Sequence, residues 1–240
     1  AKGYGEYMNF IQFKDVTKEY DMGSTKLLAV DRINFAIEEG EFVVILGPSG
    51  AGKSTLLNLL GGMDYATSGD IIINGQNIAQ YKDDELTGYR ASSVGFVFQF
   101  YNLIPTLTAL ENVSLTKEVT KNSTDPVKVL DSVGLKEHLN QFPAQLSGGE
   151  QQRVSIARAI CKNPAMLLCD EPTGALDSET GTVILSLLQR LSRESKKTVI
   201  IVSHNAALAQ AADKVIHIKN GRIKEITINP MPVDVSEVNW

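Results

Sequence analysis

A glycine-rich segment that begins at Gly47 has the spacing G-x-x-x-x-G-K-S, which is typical of loops that bind phosphate groups. An apolar run at 42–46 precedes it and a helix-forming run at 54–60 follows it, so the segment joins a buried strand to a helix. In such a loop the backbone N–H groups point at phosphate oxygens, and the helix N-terminus adds partial positive charge. We expect the phosphate site to comprise Gly47, Pro48, Ser49, Gly50, Ala51, Gly52, Lys53, Ser54 and Thr55.

Two side chains of this loop have the chemistry that a nucleoside triphosphate needs. Lys53 is expected to reach the β- and γ-phosphates, and the Ser54 hydroxyl is expected to ligate Mg²⁺. The alternative is a glycine-rich turn with a chance lysine, which does not account for the strand before the turn and the helix after it. The loop therefore predicts a nucleoside triphosphate site without indicating what the nucleotide drives.

An acidic pair, Asp170 and Glu171, follows the apolar run 166–169. A buried strand that ends in a carboxylate can deliver a further oxygen ligand to the magnesium ion of a nucleotide, and we assign this role to Asp170. Glu171 is the candidate general base for an attacking water molecule. The alternative is an acidic pair that caps the next helix, and the phosphate loop favours the catalytic interpretation.

A second stretch with anion-binding character spans 146–153 and reads Leu-Ser-Gly-Gly-Glu-Gln-Gln-Arg. By itself it is a capped helix start that exposes backbone N–H groups and the Ser147 hydroxyl to an anion. Because the chain already contains one phosphate loop, a second anion-binding helix start requires a separate explanation.

The elements that must position these groups alternate between short apolar runs and helical segments. Helices that alternate with buried strands predict an α/β fold with a mostly parallel, doubly wound sheet. Ahead of that core, residues 9–20 alternate apolar and polar side chains and predict an antiparallel β subdomain, with a second strand pair within 27–37. Three prolines punctuate residues 100–150, which predicts an inserted helical subdomain.

The composition bounds the class of protein. We expect one domain at 9–228, a tail at 1–8 that is an expression remnant or a loose natural end, and a tail at 229–240 that is loose or a small appendage. A net charge of −5 and a pI near 5.3 argue against nucleic acid as the main partner. Two cysteines in apolar surroundings suit a reducing compartment. No apolar run approaches the ~18–20 residues that span a bilayer, so we expect another chain to supply any membrane span.

The stretch 146–153 lies just before the strand that ends at Asp170 and resembles the signature of ATP-binding cassette (ABC) ATPases. The other elements of that family follow in order, and the resemblance covers roughly residues 9–225. It implies the ABC ATPase fold, with a P-loop NTPase core of the RecA-like type, and ATP and Mg²⁺ as cofactors.

In that family two cassettes pair head to tail. The resemblance therefore implies that Ser147, Gly148 and Gly149 of one copy cap the γ-phosphate held by the phosphate loop of the other copy. Glu150 departs from the glutamine that many relatives have at this position. We expect no loss of activity from that departure, because the serine and the glycines make the cradle.

The same resemblance implies roles for four further residues. Tyr20 is similar in position to the aromatic that stacks on adenine, and Gln99 resembles the glutamine that senses Mg²⁺ and the attacking water. Asp177 belongs to a segment that resembles the D-loop, which crosses the dimer interface. His204 resembles the switch histidine that contacts the γ-phosphate. Taken alone, Tyr20 is more typical of a strand-end packing residue, and His204 could equally cap a helix.

The stretches 59–64, 98–113 and 171–178 resemble the MacB/LolD/FtsE subfamily. This resemblance implies a subunit on the cytoplasmic face of the membrane that drives a separate permease of the MacB, LolD or FtsX type, with an extracytoplasmic adaptor reached through the permease. The driven process would be export, lipoprotein release or mechanotransmission. Two alternatives stay open: a soluble cassette that acts on nucleic acid or ribosomes, and a scaffold that uses ATP only to dimerise.

The stretch after Gln99 is the expected docking groove for the permease, because it concentrates apolar side chains in a segment that a proline makes partly loop. Its members are Phe100, Tyr101, Leu103, Ile104 and Leu107. The alternative is that these residues pack the helical insertion onto the core.

Overall fold

The computed structural model describes residues 9–239, so the predicted tail at 1–8 lies outside the described residues. The strands are β1 Ile11–Asp21, β2 Lys26–Ile37, β3 Phe42–Leu46, β4 Ser68–Ile73, β5 Gln76–Asn77, β6 Val94–Phe98, β7 Met166–Asp170, β8 Thr198–Ser203, β9 Lys214–Lys219 and β10 Arg222–Ile228. The helices are α1 Lys53–Leu60, α2 Asp83–Ser93, α3 Ala109–Ser114, α4 Pro126–Ser132, α5 Gly148–Cys161 and α6 Ser178–Ser195. Short 3₁₀ helices connect some of these elements.

The larger sheet has the strand order β10-β9-β3-β8-β7-β6. All neighbours pair in parallel except β10, which pairs antiparallel with β9 at one edge. β3 and β8 are buried along their whole length, which explains their apolar, β-branched sequences. Val44 of β3 belongs to one core cluster and Val43 to another, because successive side chains point to opposite faces and helices cover both. The predicted doubly wound, mostly parallel sheet is confirmed.

The smaller sheet is antiparallel and has the order β2-β1-β4-β5. The predicted antiparallel layer is thus present, but the strand pair expected within 27–37 is wrong: these residues belong to one strand, β2, paired with β1. Asp15 and Arg32 have positive φ angles of 49° and 45°, near shifts in the pairing register. Such bulges bend a strand without ending it, and the sequence pattern across the bend imitates two strands.

Residues 100–147 form a layer of short helices, as predicted. Asp125 caps α4 through a 3.0 Å bond from the Val127 N–H to its Oδ1, and Pro126 occupies the first helical position. α3 and α4 both pack against α5. Because α5 also packs against β6, it connects the helical layer to the central sheet.

The chain after β10 packs onto the core. Val235 and Val238 are buried in the same cluster as α6, and Gln189 of α6 donates to the carbonyl of Val233 and accepts from the N–H of Val235. The described residues 229–239 therefore include side chains that belong to the core. Within the described residues, every helix is too short or too polar to cross a membrane.

Candidate functional site

A cleft of about 1250 Å³ opens at the carboxyl ends of the parallel strands, where open α/β sheets bind their ligands. The β3–α1 loop, the ends of β6, β7 and β8, and the β1–β2 sheet all contribute to its walls. Of the residues predicted from the sequence, it brings together Tyr20, Ser49, Gly50, Gly52, Lys53, Ser54, Thr55, Gln99, Asp170, Glu171 and His204.

The β3–α1 loop curls around an inward-facing lysine. Gly52 has φ 100°, and a Cβ there would lie 2.5 Å from the carbonyl oxygen of Ala29, so the loop requires glycine. Lys53 is only 8% exposed, and its ammonium donates to the carbonyls of Gly47 at 2.5 Å and Pro48 at 2.9 Å. These carbonyls carry no full charge, so a phosphate in the loop would be a stronger partner for the ammonium. Ala51 is buried under the loop.

Asp170 ends β7 opposite the start of α1. Its Oδ2 accepts a 3.1 Å bond from the Ser54 hydroxyl. Burial raises the pKa of the Asp170 carboxyl, and the neighbouring Glu171 carboxylate raises it further, while the Ser54 bond and the Lys53 charge act in the opposite direction. The ionised carboxylate is therefore under-compensated, so a cation at this position would be stabilised.

Glu171 has a left-handed backbone, with φ 47°. Its N–H donates to the carbonyl of Val202 at 2.9 Å, and its Oε1 lies 2.9 Å from Nδ1 of His204. A left-handed conformation costs a residue with a Cβ about 1 kcal/mol, and such strain gathers at functional sites. Gln99 covers the turn that follows, because a Cβ on Gly174 would lie 2.8 Å from its Nε2.

Tyr20 lines the cleft from β1, which belongs to the smaller antiparallel sheet, whereas the β7 carboxylates belong to the larger sheet. Its hydroxyl donates to Oδ2 of Asp64 at 2.8 Å. Burial is the main reason why the pKa of Tyr20 is raised, and the bond to Asp64 adds to the shift. The ring thus lines the cleft as an uncharged aromatic surface.

The 146–153 segment and Asp177 are absent from the walls of this cleft in the part of the chain that the structure describes. Ser147 is exposed and caps α5, with its Oγ accepting from the Glu150 N–H at 3.2 Å. The Glu150 carboxylate accepts from the Ser147 N–H at 2.8 Å, which is the main reason why its pKa is lowered. Asp177 caps α6, where its Oδ1 accepts from the Thr180 N–H at 2.9 Å.

The two glycines of the 146–153 segment lie where neighbouring side chains approach the backbone closely. Gly149 is buried against Thr180 at the start of α6, with no room for a Cβ. A Cβ on Gly148 would lie 2.9 Å from the hydroxyl of Tyr101. Within this segment only Ser147 is exposed, and the segment does not line the cleft of its own chain.

α5 also fixes the backbone around Gln99. Gln152 donates to the carbonyls of Phe98 at 2.9 Å and Pro172 at 2.5 Å, across the ends of β6 and β7. Arg158 donates to the carbonyls of Tyr101 at 3.0 Å and Asn102 at 2.8 Å. The helix that begins at the 146–153 segment thus holds the chain on both sides of Gln99.

The five apolar residues after Gln99 do not form one surface. Phe100 is 73% exposed and Ile104 is 40% exposed, whereas Leu103 packs against the core. Tyr101 and Leu107 are half-buried. The packing interpretation therefore applies to Leu103, and docking stays a prediction for the exposed side chains.

Sequence reasoning missed several residues that line the cleft: Leu27, Leu28, Ala29, Phe98, Phe100, Asn102, Gly174, Val202, Asn220 and Gly221. The sequence could have indicated Leu27 and Leu28. Successive side chains of a strand point to opposite faces, so two adjacent leucines cannot both face one core. Both are exposed beside Tyr20. Gly221 supports the phosphate loop, because its N–H donates to the carbonyl of Ala51 at 2.9 Å.

A strand–glycine loop–helix cradle with an inward lysine, opposite a strand that ends in two carboxylates, defines a P-loop nucleoside triphosphatase. The family model described as "ABC transporter" matches residues 30–174. The chain belongs to this family, and its described part is an ATP-binding cassette of the ABC ATPase class.

Known proteins support the same class. The chain is 46% identical over 226 residues to the uncharacterized ABC transporter ATP-binding protein MJ0796 of Methanocaldococcus jannaschii, covering 89% of this chain and 95% of that protein. The dimeric structure of MJ0796 superposes with a TM-score of 0.82 at 44% identity, covering 91% of this chain and 98% of that one. A further MJ0796 dimer is a post-hydrolysis state bound to ADP and Pi.

Two longer relatives contain a matching segment. A Mycoplasma pneumoniae protein named as an ABC transporter ATP-binding protein, the MG065 homolog, is 41% identical over 97% of this chain. The chain spans about half, 50%, of that relative's length. The macrolide export ATP-binding/permease protein MacB of Rhodopirellula baltica is 42% identical over 90% of this chain, which corresponds to 32% of MacB.

Proposed function

We propose that this cassette hydrolyses ATP as one half of a head-to-tail dimer and drives a separate membrane permease. The observation that carries the proposal is the separation of two anion-binding elements on one chain. The phosphate loop lines the cleft, whereas the exposed start of α5 at Ser147 does not. An exposed second cradle is explained if it serves the cleft of another copy, and the dimeric relative MJ0796 supports such pairing.

Within one cleft, the residues fit ATP from the base to the γ-phosphate. Tyr20 would stack on adenine, and the 47–55 loop would hold the phosphates with Lys53 on the β- and γ-groups. Asp177 and the 147–149 cradle would reach the nucleotide from the partner copy. The expected occupant is ATP because the family and the ADP- and Pi-bound relative both point to adenine nucleotides.

Mg²⁺ fits the same site on the chemistry of its donors. The Ser54 hydroxyl and the Asp170 carboxylate lie 3.1 Å apart and offer hard oxygen atoms, with Gln99 as the third candidate. Across residues 9–239, His, Cys, Asp and Glu nowhere gather in a group of three or more that could hold a metal alone. Two protein ligands with phosphate oxygens suit Mg²⁺, which usually keeps few protein ligands, and it would neutralise charge on the phosphates.

Hydrolysis needs a base beside the γ-phosphate, and Glu171 is the candidate. Its carboxylate would accept a proton from the attacking water, while His204 orients the carboxylate and contacts the γ-phosphate. Glu171 combines a strained, left-handed backbone with a place in the cleft wall, as functional residues often do. Gln99 would report the state of this site to the chain segment that follows it.

The partner that ATP hydrolysis drives is proposed from similarity and from one exposed surface. The MacB name describes an ATP-binding/permease protein, which supports the coupling of this cassette to a permease. A permease of the MacB, LolD or FtsX type and an adaptor reached through it are proposed from the resemblance of the 59–64, 98–113 and 171–178 stretches. Phe100 and Ile104 are exposed next to Gln99 and form the candidate contact with the permease. Such contact would hold the cassette on the cytoplasmic face of the membrane.

The experiment is Mg²⁺-dependent phosphate release from ATP by the purified chain, compared between the wild type and Lys53→Ala. We expect a loss of about a hundredfold or more, because charge-assisted bonds to the phosphates disappear. Lys128→Ala, on the exposed face of α4, is the matched control and should retain turnover. Equal turnover in wild type and Lys53→Ala would overturn the assignment of the phosphate loop.

A further inference from the structure

The aromatic ring of Tyr20 is restrained by two neighbours that no sequence motif indicated. Its hydroxyl donates to Oδ2 of Asp64 at 2.8 Å, and the ammonium of Lys18 lies 4.8 Å from the ring centroid. A cation at this distance over an aromatic face is attracted by the ring quadrupole. The ring is therefore held at its hydroxyl end and over one of its faces.

Asp64 connects these two restraints through one carboxylate. Its Oδ1 accepts from Lys18 Nζ at 2.7 Å and from the Tyr65 N–H at 2.7 Å, while its Oδ2 accepts from Tyr20. Lys18 also donates to the carbonyl of Tyr65 at 2.8 Å. Burial alone would raise the pKa of Asp64, but the bonds from Lys18, Tyr20 and Tyr65 together hold it below its ordinary value. The carboxylate is thus ionised and accepts three hydrogen bonds at neutral pH.

The position of Asp64 in the fold gives this arrangement a direct relation to the nucleotide. α1 begins with Lys53 and ends at Leu60, and Asp64 follows in the next turn of chain. The helix that follows the phosphate loop, α1, is therefore connected by a short segment to Asp64, which accepts the hydrogen bond of Tyr20. Tyr20 lines the cleft and Lys18 does not, so the ammonium over one ring face leaves the other face for a ligand.

We propose that Asp64 and Lys18 are positioning residues for nucleobase recognition, which hold the ring of Tyr20 in the plane where it stacks on the base. This inference rests on the proposed ATP site and on the proposed stacking role of Tyr20. A ring that is already oriented loses less conformational freedom when the base binds, so the restraint raises affinity. The effect is confined to ligands that contain a base.

The test compares ADP with tripolyphosphate, which has phosphate groups but no base, by calorimetric titration of the purified full chain. Lys18→Met retains the aliphatic stem and removes the cation, and Asp64→Asn retains the shape and removes the charge. We expect each to weaken ADP binding about three- to tenfold and to leave tripolyphosphate binding unchanged. Equal losses for both ligands would overturn the inference, because they would indicate general damage to the site.

A double-mutant cycle separates positioning from a general structural role. Once Tyr20→Ala has removed the ring, adding Lys18→Met should cost no further ADP affinity. If the two losses instead add, Lys18 acts independently of Tyr20 and the inference is wrong. Asp234→Asn is the matched control, since it removes a carboxylate paired with Arg193 at 3.5 Å in the C-terminal segment, and it should leave both affinities intact.

The outcomes also distinguish the inference from the function on which it rests. If Tyr20→Ala leaves ADP affinity unchanged, the stacking role fails and the positioning role fails with it. If Tyr20→Ala weakens ADP binding but neither Lys18→Met nor Asp64→Asn does, the stacking role stands and the positioning inference alone is overturned.

Discussion

Nδ1 of His204 lies 2.9 Å from Oε1 of Glu171, across the ends of the neighbouring strands β8 and β7. This contact is a hydrogen bond when Nδ1 carries the hydrogen, because a carboxylate oxygen accepts. The His204 side chain is 74% exposed, whereas that of Glu171 is 22% exposed. The carboxylate is therefore oriented by the fold before any nucleotide binds, and the imidazole remains accessible from the cleft.

The first prediction concerns Glu171→Gln. The amide retains the shape of the side chain but cannot accept a proton from water, so the variant should bind ATP and hydrolyse it at less than about one hundredth of the wild-type rate. Because the bound ATP is not hydrolysed, it should hold two copies together. Sedimentation in the presence of ATP would detect this complex as a dimer. A variant that stays monomeric with ATP, or one that turns over normally, would contradict the assignment.

Glu150→Gln is the matched control for that experiment. It makes the same chemical change at the start of α5, where the carboxylate caps the Ser147 N–H. A glutamine oxygen can accept the same bond, so we expect turnover within about twofold of wild type and at most a small loss of stability.

A second prediction addresses sites shared between two copies. Lys53→Ala and Ser147→Arg subunits should each be inactive, but in a mixed head-to-tail dimer one site carries both lesions and the other carries none. Random pairing of the two in equal amounts should then restore roughly a quarter of wild-type activity, because half of the dimers are mixed and each has one intact site. The measurement is phosphate release after mixing.

The matched control places both lesions on one subunit. When the double variant pairs with wild type, each of the two sites carries one lesion, so those mixed dimers should be inactive. In an equal mixture, only the quarter of dimers that are wild-type homodimers should then be active, which again gives roughly a quarter of wild-type activity. If each site were complete within one chain, this mixture would instead retain about half of the activity and the first mixture would have none, and the head-to-tail arrangement would have to be abandoned.

A third prediction links Asp170 to pH. A raised pKa means that the folded protein binds a proton at Asp170 more readily than the unfolded chain does, so the ionised form lowers stability at neutral pH. This penalty is complete above the folded pKa and disappears as the pH falls below the unfolded pKa of ~3.9. Without nucleotide, Asp170→Asn should melt about 1–3 °C higher than wild type at about pH 7, and the difference should vanish at about pH 4.

Glu225→Gln provides the control for that comparison, because Glu225 is an exposed carboxylate on β10. Its melting temperature should follow wild type at both pH values. If Asp170→Asn is less stable than wild type at neutral pH, the prediction is contradicted, because the carboxylate of Asp170 would then stabilise the wild-type protein. Asp170→Asn should nevertheless lose ATP hydrolysis, because residues that serve a functional site can lower the stability of the folded protein.

The sequence predicted those site residues that follow directly after parallel strands. The carboxyl ends of parallel strands share one edge, so a loop after β3, carboxylates after β7 and a histidine after β8 had to converge. Asp64 could not be found in this way. Its partner Lys18 lies 46 residues earlier in β1, whereas Asp64 follows α1, and only tertiary packing brings them together.

The errors in the fold have a similar cause. Arg32 in β2 adopts a positive φ because the pairing with β1 shifts there, and a local pattern cannot distinguish a bulge from a turn. The burial of Val235 depends on Gln189, whose side chain accepts the Val235 N–H and donates to the carbonyl of Val233. No periodicity marks such a segment, because its burial is decided by a distant helix.

The last prediction separates docking from packing in the stretch after Gln99. Phe100 is 73% exposed, whereas Leu103 packs on the core. Phe100→Ser should retain the melting temperature but lose about tenfold in capture of the membrane protein that co-purifies with tagged wild type. Leu103→Ser should lower the melting temperature, because it puts a hydroxyl into an apolar cluster. Met231→Ser, an exposed apolar residue in the C-terminal segment, should alter neither property. Full capture by Phe100→Ser would exclude that side chain from the docking surface.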